Sequence, residues 1–281
     1  MIRIWQIILS GILVALLLNV GATGCLASQE GNEGIIFTKL GEIFTGGDAY
    51  DVWVKNELAF VTCGYLGLKI FDVSDPSNIT EVGHLPASSG GYAHQLFIAN
   101  DLVYIGGGQA GLEIINISDP SSPQRVTRYK EPATTYPWAV QVVGNIAFLA
   151  NGYITAGAGL SILDISNHTS PILLGNYSTD GDATDIEVIG NLVYLTSSFG
   201  RLTILDVSNY SNPILVGQYT GQSGLNAEVG DVKIVGNLAF LTYWSSGLKI
   251  LDINDPSNIV KVGEYTDGGE YFSIKVSNNL A

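Results

Sequence analysis

Gly67-Leu68-Lys69-Ile70-Phe71-Asp72-Val73-Ser74-Asp75-Pro76-Ser77-Asn78 is the stretch from which the rest of this 281-residue chain is read. It is a short apolar run closed by an acid, followed by a turn built on Asp-Pro-Ser. The pattern returns at Gly111–Ser122, Gly159–Asn167, Gly200–Ser208 and Gly247–Asn258. The residues that close the runs (Asp72, Asn116, Asp164, Asp206, Asp252) lie 44, 48, 42 and 46 residues apart. A period of about 40 to 50 residues in an all-strand pattern marks a propeller or a related array.

Working outward from the first copy, each unit holds four apolar runs. Asp51–Val54 begins one, Asn56-Glu57 turns it, and Leu58–Thr62 is the second. Tyr65-Leu66-Gly67 leads into Leu68–Val73, and Asp75-Pro76-Ser77-Asn78 leads into Ile79–Leu85. Turn residues every 8 to 12 positions, with no sustained helical period, give an antiparallel meander. Four strands per unit is one propeller blade. The fold expected is therefore all-β, a β-propeller of four-stranded antiparallel blades with five complete repeats and a partial sixth.

The turns have a local physical reason. Pro presets φ near −65° at the second turn position, and the preceding Asp or Asn accepts hydrogen bonds from the backbone beyond it. The row Asp72, Asp75, Asn78 also raises Ca²⁺ as a ligand, but Pro76 interrupts it and no bidentate Glu follows. Turn capping is the favoured reading, and no other cofactor or metal is expected.

With these residues in view, the chain resembles the LVIVD-repeat family. The resemblance rests on the Gly-Leu-x-Ile core ending in Asp, on Val82-Gly83, Val216-Gly217 and Val262-Gly263, and on the leads Asp51-Val52, Asp185-Ile186 and Asp231-Val232. It also takes in Gly190–Tyr194 and Gly236–Phe240, and covers about residues 40–281. It implies an exported bacterial or archaeal β-propeller and supplies no catalytic residues.

Bulk properties narrow the function. The formal net charge of −14 disfavours nucleic acid and anionic lipid surfaces as partners. Arg3 is the only charged residue before Cys25, the segment from Ile7 to Val20 is mostly apolar, and Gly21–Gly24 are small. Residues 1–24 read as a signal peptide. Ala22-Thr23-Gly24-Cys25 resembles a lipobox, with Ala22 where Leu is usual, so Cys25 is the expected lipidated N-terminus of a membrane-anchored, exported chain. Simple cleavage and an uncleaved anchor are the alternatives. Residues 25–36 read as a flexible tether and 37–281 as the propeller. Cys63, after Ala59-Phe60-Val61, reads as a buried inert thiol.

Lys39–Thr45 matches a fourth run and Tyr271–Ser277 a first run, so the expected closing blade lacks its two middle strands at the C-terminus. Aligning the repeats puts Asp51, Gln95, Ala139, Asp185, Asp231 and Ser273 at one channel position. Tyr50, His94, Trp138, Thr184, Gly230 and Phe272 stand just before them. Asp51, Gln95, Asp185, Asp231, Tyr50, His94 and Trp138 are the candidate ligand-binding ring, with acids and aromatics suited to a cation or a sugar. Against this stands the reading in which each Asp bonds backbone N–H groups at its strand entry, which is favoured because the acid belongs to the repeat itself. His84, His94 and His168 fall at unrelated repeat positions and imply no metal cluster. Asn78, Asn167 and Asn209 lie in turns within Asn-x-Ser/Thr sequons and are candidate glycosylation sites.

The expected function is a non-catalytic binding or scaffold module for a surface protein or carbohydrate, with the membrane met only through the N-terminal anchor. An extracytoplasmic hydrolase or lyase using the channel acids is the alternative, and a structural surface-layer component is a third reading.

Overall fold

The computed structural model describes residues 2–9, 11–18, 37–130, 136–152, 158–221, 229–244, 246–267 and 271–276. The expected leader boundary at Cys25 and the tether up to residue 36 fall outside them. Among the described residues the regular structure is all strand, apart from a single 3-10 turn at Gly108–Ala110. No helix among them is long and apolar enough to cross a membrane.

Each repeat forms one four-stranded antiparallel sheet in simple meander order. The first holds β4 (Asp51–Lys55), β5 (Leu58–Thr62), β6 (Leu68–Asp72) and β7 (Thr80–Leu85); the second holds β8 (Leu96–Ala99), β9 (Leu102–Gly106), β10 (Leu112–Asn116) and β11 (Gln124–Tyr129). The third holds β12 (Pro137–Val143), β13 (Ile146–Asn151), β14 (Gly159–Asp164) and β15 (Ile172–Ser178). The fourth holds β16 (Ala183–Ile189), β17 (Leu192–Ser197), β18 (Arg201–Asp206) and β19 (Ile214–Thr220). The fifth holds β20 (Val229–Val235), β21 (Leu238–Tyr243), β22 (Gly247–Asp252) and β23 (Val260–Tyr265). At the N-terminus, β1 (Ile2–Leu9) and β2 (Gly11–Leu18) form a hairpin, and β1 pairs with β3 (Phe37–Ile43). This arrangement belongs to the chain with its first 18 residues in place. Contacts divide the chain into two units, Met1–Arg128 with the first two blades and Tyr129–Ala281 with the other three.

The hairpins between first and second strands explain part of the repeat. Two-residue turns that match strand twist need φ > 0 at their centre. Gly144, Gly190 and Gly236 supply it at φ 59, 59 and 57°, with nothing near the missing side chain. In the first repeat Asn56 and Glu57 must adopt φ 51 and 62° instead.

The middle strands are buried on both faces, which is why Leu58–Thr62 and Ile146–Asn151 read as continuous apolar runs rather than alternating ones. Within the first unit, Phe60, Leu68 and Ile70 pack with Leu96, Ile98, Val103 and Ile105 of the next blade. Within the second, Phe148, Leu160 and Ile162 pack with Ile186, Val188, Val193 and Leu195, and the fourth and fifth blades repeat the scheme through Ile204, Val232 and Leu241. Burying each such side chain contributes about 1.5–3 kcal/mol.

The Asp-Pro-Ser turns are capped by their own acids. Ser74 N–H donates to Asp72 Oδ1 at 2.9 Å, and Ser77 N–H and Oγ donate to Asp75 Oδ1 at 2.9 and 2.6 Å. Asp119 and Asp255 do the same with Ser121 and Ser257. These bonds favour the charged form, and they hold the carboxyls of Asp72, Asp75 and Asp119 below the ordinary range.

The Val-Gly pair of the fourth strand has a packing role. In four blades the pairing of third and fourth strands slips by one residue beside it, at Ile70/Phe71, Ile162/Leu163, Ile204/Leu205 and Ile250/Leu251. The bulge bends the outer strand beside the glycine. The next repeat's turn then comes to rest on it: the carbonyl oxygen of Pro76 stands 1.7 Å from where a Cβ of Gly41 would be, and that of Pro120 stands 2.0 Å from the Gly83 position. Only glycine permits that approach.

Candidate functional site

The first strand of each blade begins where the aligned acids stand, and their carboxylates reach the following blade. Leu96 N–H donates to Asp51 Oδ2 at 3.0 Å, while Val52 N–H donates to Oδ1 at 2.8 Å. Val232 N–H donates to Asp185 Oδ2 at 2.9 Å. Ile274 N–H and Ser273 Oγ donate to Asp231 Oδ2 at 2.9 and 2.6 Å. Each acid thus accepts from the residue one place beyond its own counterpart in the next repeat. Asp51 and Asp185 so tie two first strands together as a latch, whereas Asp231 ties its strand to the segment 271–276, which was expected as a first strand but carries no sheet pairing here.

A threonine at the end of the second strand completes each latch. Thr62 Oγ1 accepts from Asp51 N–H at 3.0 Å and Thr242 Oγ1 from Asp231 N–H at 2.9 Å; Thr196 Oγ1 donates to the carbonyl of Asp185 at 3.3 Å. The two repeats without the acid also lack the threonine. Gln95 stands opposite Gly106, with the Gly106 N–H donating to the Gln95 carbonyl at 3.0 Å, and Ala139 is in register with Ala150. The sequence reading missed these threonines, although their pairing with the acids is visible in the repeats themselves.

Asp185 differs from the others. It is only 3% exposed, and it is hydrogen-bonded to Asp231. Burial first, then the Asp231 charge and that bond, push its carboxyl well above the ordinary range. Burial beside a second acid favours the neutral form of the Asp185 carboxyl.

Aromatic rings gather on the same edge of the blades. In the first unit Tyr50 and Tyr92 meet edge-on at 5.1 Å between centroids, with their hydroxyls 2.5 Å apart. His94 lies 5.5 Å from Tyr50 and 4.9 Å from Tyr92, and Tyr65 caps Tyr92 at 4.4 Å and 88°. Tyr65 is 77% exposed and Tyr50 43%, whereas His94 is buried. Burial lowers the His94 pKa to about 4, leaving a neutral ring at pH 7. In the second unit Trp138 lies 6.0 Å from Tyr136 and Trp244 5.5 Å from Phe272, and Phe199 is held exposed at φ 68°.

Of the residues expected at a channel ring, the structure therefore joins Asp51 to Leu96, Asp185 to Asp231, and Tyr50 to His94. Tyr65 and Tyr92 belong to this cluster but fall in turns, outside the aligned positions from which the ring was read. Gln95 is half-buried, and Trp138 packs its indole against Gly152, where a Cβ would come within 2.6 Å of Nε1. Asn78, Asn167 and Asn209 are exposed in their turns; Asn167 and Asn209 accept from Thr169 and Ser211 as the aspartates do elsewhere. Cys63 is buried, and burial pushes its thiol up to about 11. Among the described residues no three His, Cys, Asp or Glu side chains are grouped to hold a metal.

Comparison with known proteins agrees with this architecture. None of the curated proteins matches the chain. Among solved structures, the crystal structure of the computationally designed Ika8 protein aligns with a TM-score of 0.64 at 11% identity, covering 86% of this chain and 69% of that one. That similarity speaks for the fold alone. The family model described as the LVIVD repeat matches residues 46–85, 90–131, 136–179, 180–221 and 227–267, one match for each four-stranded sheet. With its repeated latches and outer-strand glycines accounted for by that periodicity, the chain belongs to the LVIVD-repeat family.

Proposed function

We propose that this protein is an exported, surface-held binding module without catalytic activity, and that it engages carbohydrate through the aromatic edge of its first two blades. One observation carries the reading. Tyr65 and Tyr50 offer exposed ring surface while resting on Tyr92 and the neutral His94, so the platform is rigid before any ligand arrives. A flat apolar face bordered by phenolic hydroxyls suits the C–H faces and hydroxyls of a sugar. The backbone bonds held by Asp51, Asp185 and Asp231 leave these acids a structural task, which weighs against hydrolase chemistry at the same positions. Export is supported by Arg3, the apolar segment that follows it and Ala22–Cys25.

The test is calorimetric titration of the full chain with a panel of neutral oligosaccharides, repeated with Tyr65→Ala. Ring contacts of this kind contribute about 1 kcal/mol beyond their area, so affinity should fall roughly tenfold or more while the melting curve is unchanged. Absence of binding across the panel, or binding indifferent to Tyr65→Ala, would refute the assignment.

A further inference from the structure

The second unit holds an aromatic residue in a conformation its side chain disfavours. Phe199 and Gly200 form the turn between the second and third strands of the fourth blade, at φ 68 and 73°. Two left-handed residues in a row are the habit of Asn-Gly or Gly-Gly, and a bulky aromatic there is an outlier. Leu66, Ala110, Ala158 and Ser246 precede the matching glycines of the other blades, and none of them is left-handed. Phe199 gains little cover in return, since it remains 47% exposed. Strain kept at an exposed position points to a task other than packing.

The linker entering the same blade holds this ring in place. Ser198 N–H donates to the Asp182 carbonyl at 2.8 Å, and Asp182 N–H donates to Ser198 Oγ at 3.0 Å. Thr179 Oγ1 closes the linker on itself by donating to the Gly181 carbonyl at 2.8 Å. Gly181, at φ 116°, makes the room: a Cβ there would come within 3.0 and 3.1 Å of Phe199 Cδ2 and Cε2. At the next linker position Arg201 Nη1 donates to the carbonyl and to Oδ2 of Asp180, at 3.1 and 3.2 Å. The Asp180 side chain is 91% exposed and that of Arg201 24%. An ion pair so placed adds little stability, but it sets a planar donor and a planar acceptor on the linker that carries the ring.

We propose that Phe199, Asp180 and Arg201 form a second carbohydrate-contact site, for a neutral sugar ring that carries adjacent hydroxyls. The exposed part of the Phe199 ring takes the C–H face of the sugar. Asp180 accepts from one hydroxyl and Arg201 donates to its neighbour, as their fixed polarities require. An anionic sugar is disfavoured by Asp180 itself and by the net charge of −14. The site extends the carbohydrate reading of the first two blades to the second unit and shares with it only the class of ligand. No residue is common to the two, so each can fail alone.

The test is titration of the full chain with cellohexaose, mannohexaose and xylohexaose, in the parent, Tyr65→Ala, Phe199→Gly and the double variant. Tyr65→Ala should retain saturable binding to one of these sugars, and adding Phe199→Gly should weaken it at least tenfold. Glycine takes a left-handed turn without strain, so Phe199→Gly should fold. Asp180→Ala alters an exposed side chain only; it should weaken binding as well, and it serves if Phe199→Gly does not fold. Loss of binding in Phe199→Gly with no effect of Tyr65→Ala would support this site and refute the first. Loss of all binding in Tyr65→Ala alone would overturn this site and leave the first standing. Equal binding by Tyr65→Ala and the double variant, or no binding by the parent, also overturns it.

Discussion

The carbonyl of Pro256 occupies the space where a side chain of Gly217 would begin, 1.7 Å from the Cβ position. The neighbour is backbone, held in its turn by Asp255, so it cannot rotate away as a side chain could. Gly217→Ala should therefore separate the fourth and fifth blades and cost about 1–3 kcal/mol, the usual penalty of overpacking, or more. Denaturant unfolding measures it. A midpoint equal to that of the parent would mean that the turn moves freely and that the seat has no energetic role.

Asp231 makes a separate prediction because its contacts lie at one end of the described chain. Removing an acceptor of two hydrogen bonds should cost about 1–3 kcal/mol where the donors remain buried, and less where water reaches them. Asp231→Ala should release the segment 271–276, so the amide of Ile274 exchanges faster in hydrogen exchange while amides of the third blade do not change. Asp231→Asn keeps an acceptor oxygen and should retain most of the protection. Equal exchange in the parent and the alanine variant would show that the latch carries no local stability.

The first hairpin offers a gain of stability. Glu57 sits at φ 62° as the second residue of its turn, whereas Asn145, Asn191 and Asn237 at that place in three other repeats follow a positive-φ glycine and are not left-handed themselves. A left-handed conformation costs an ordinary residue about 1–2 kcal/mol, and Asn tolerates it better. Glu57→Asn should raise the melting temperature by a few degrees, as about 0.5–1 kcal/mol does in a protein of this size. A lowered melting temperature would mean that the Glu57 side chain makes a compensating contact.

These cases show what the sequence could and could not carry. The fold was legible because the same local choices recur five times: turns that need φ > 0, Asp or Asn caps closed by Ser or Thr two residues on, and strands buried on both faces. The positions of Asp51, Asp185 and Asp231 were legible for the same reason. Their partners were not. Leu96, Val232 and Ile274 lie more than forty residues away and donate only backbone N–H, which leaves no trace in side-chain identity. The matched threonines Thr62, Thr196 and Thr242 did leave one, in their absence wherever the acid is absent. The aromatic cluster was half legible: Tyr50 and His94 occupy aligned positions, but Tyr65 and Tyr92 stand in turns whose lengths differ between repeats.

The buried acid and the buried imidazole should together shape stability against pH, with opposite signs. The native pKa of Asp185 is raised above its unfolded value of about 3.9. Its contribution is therefore complete below that pH and is lost as pH rises through the native value. The native pKa of His94 is depressed, from 6.5 to about 4. Its contribution is complete above pH 6.5 and is lost as pH falls toward about 4, a change on the order of 3 kcal/mol across that interval. Melting temperatures between pH 4 and 8 should separate the two. Asp185→Asn, which can still accept from Val232 N–H and donate to Asp231, should leave a curve that rises from pH 4 to 6.5 and then flattens. His94→Phe should leave one that falls as pH increases. If the Asp185→Asn curve runs parallel to the parent, the acid does not hold its proton in the folded chain, and burial does not set Asp185 apart from the other latch acids.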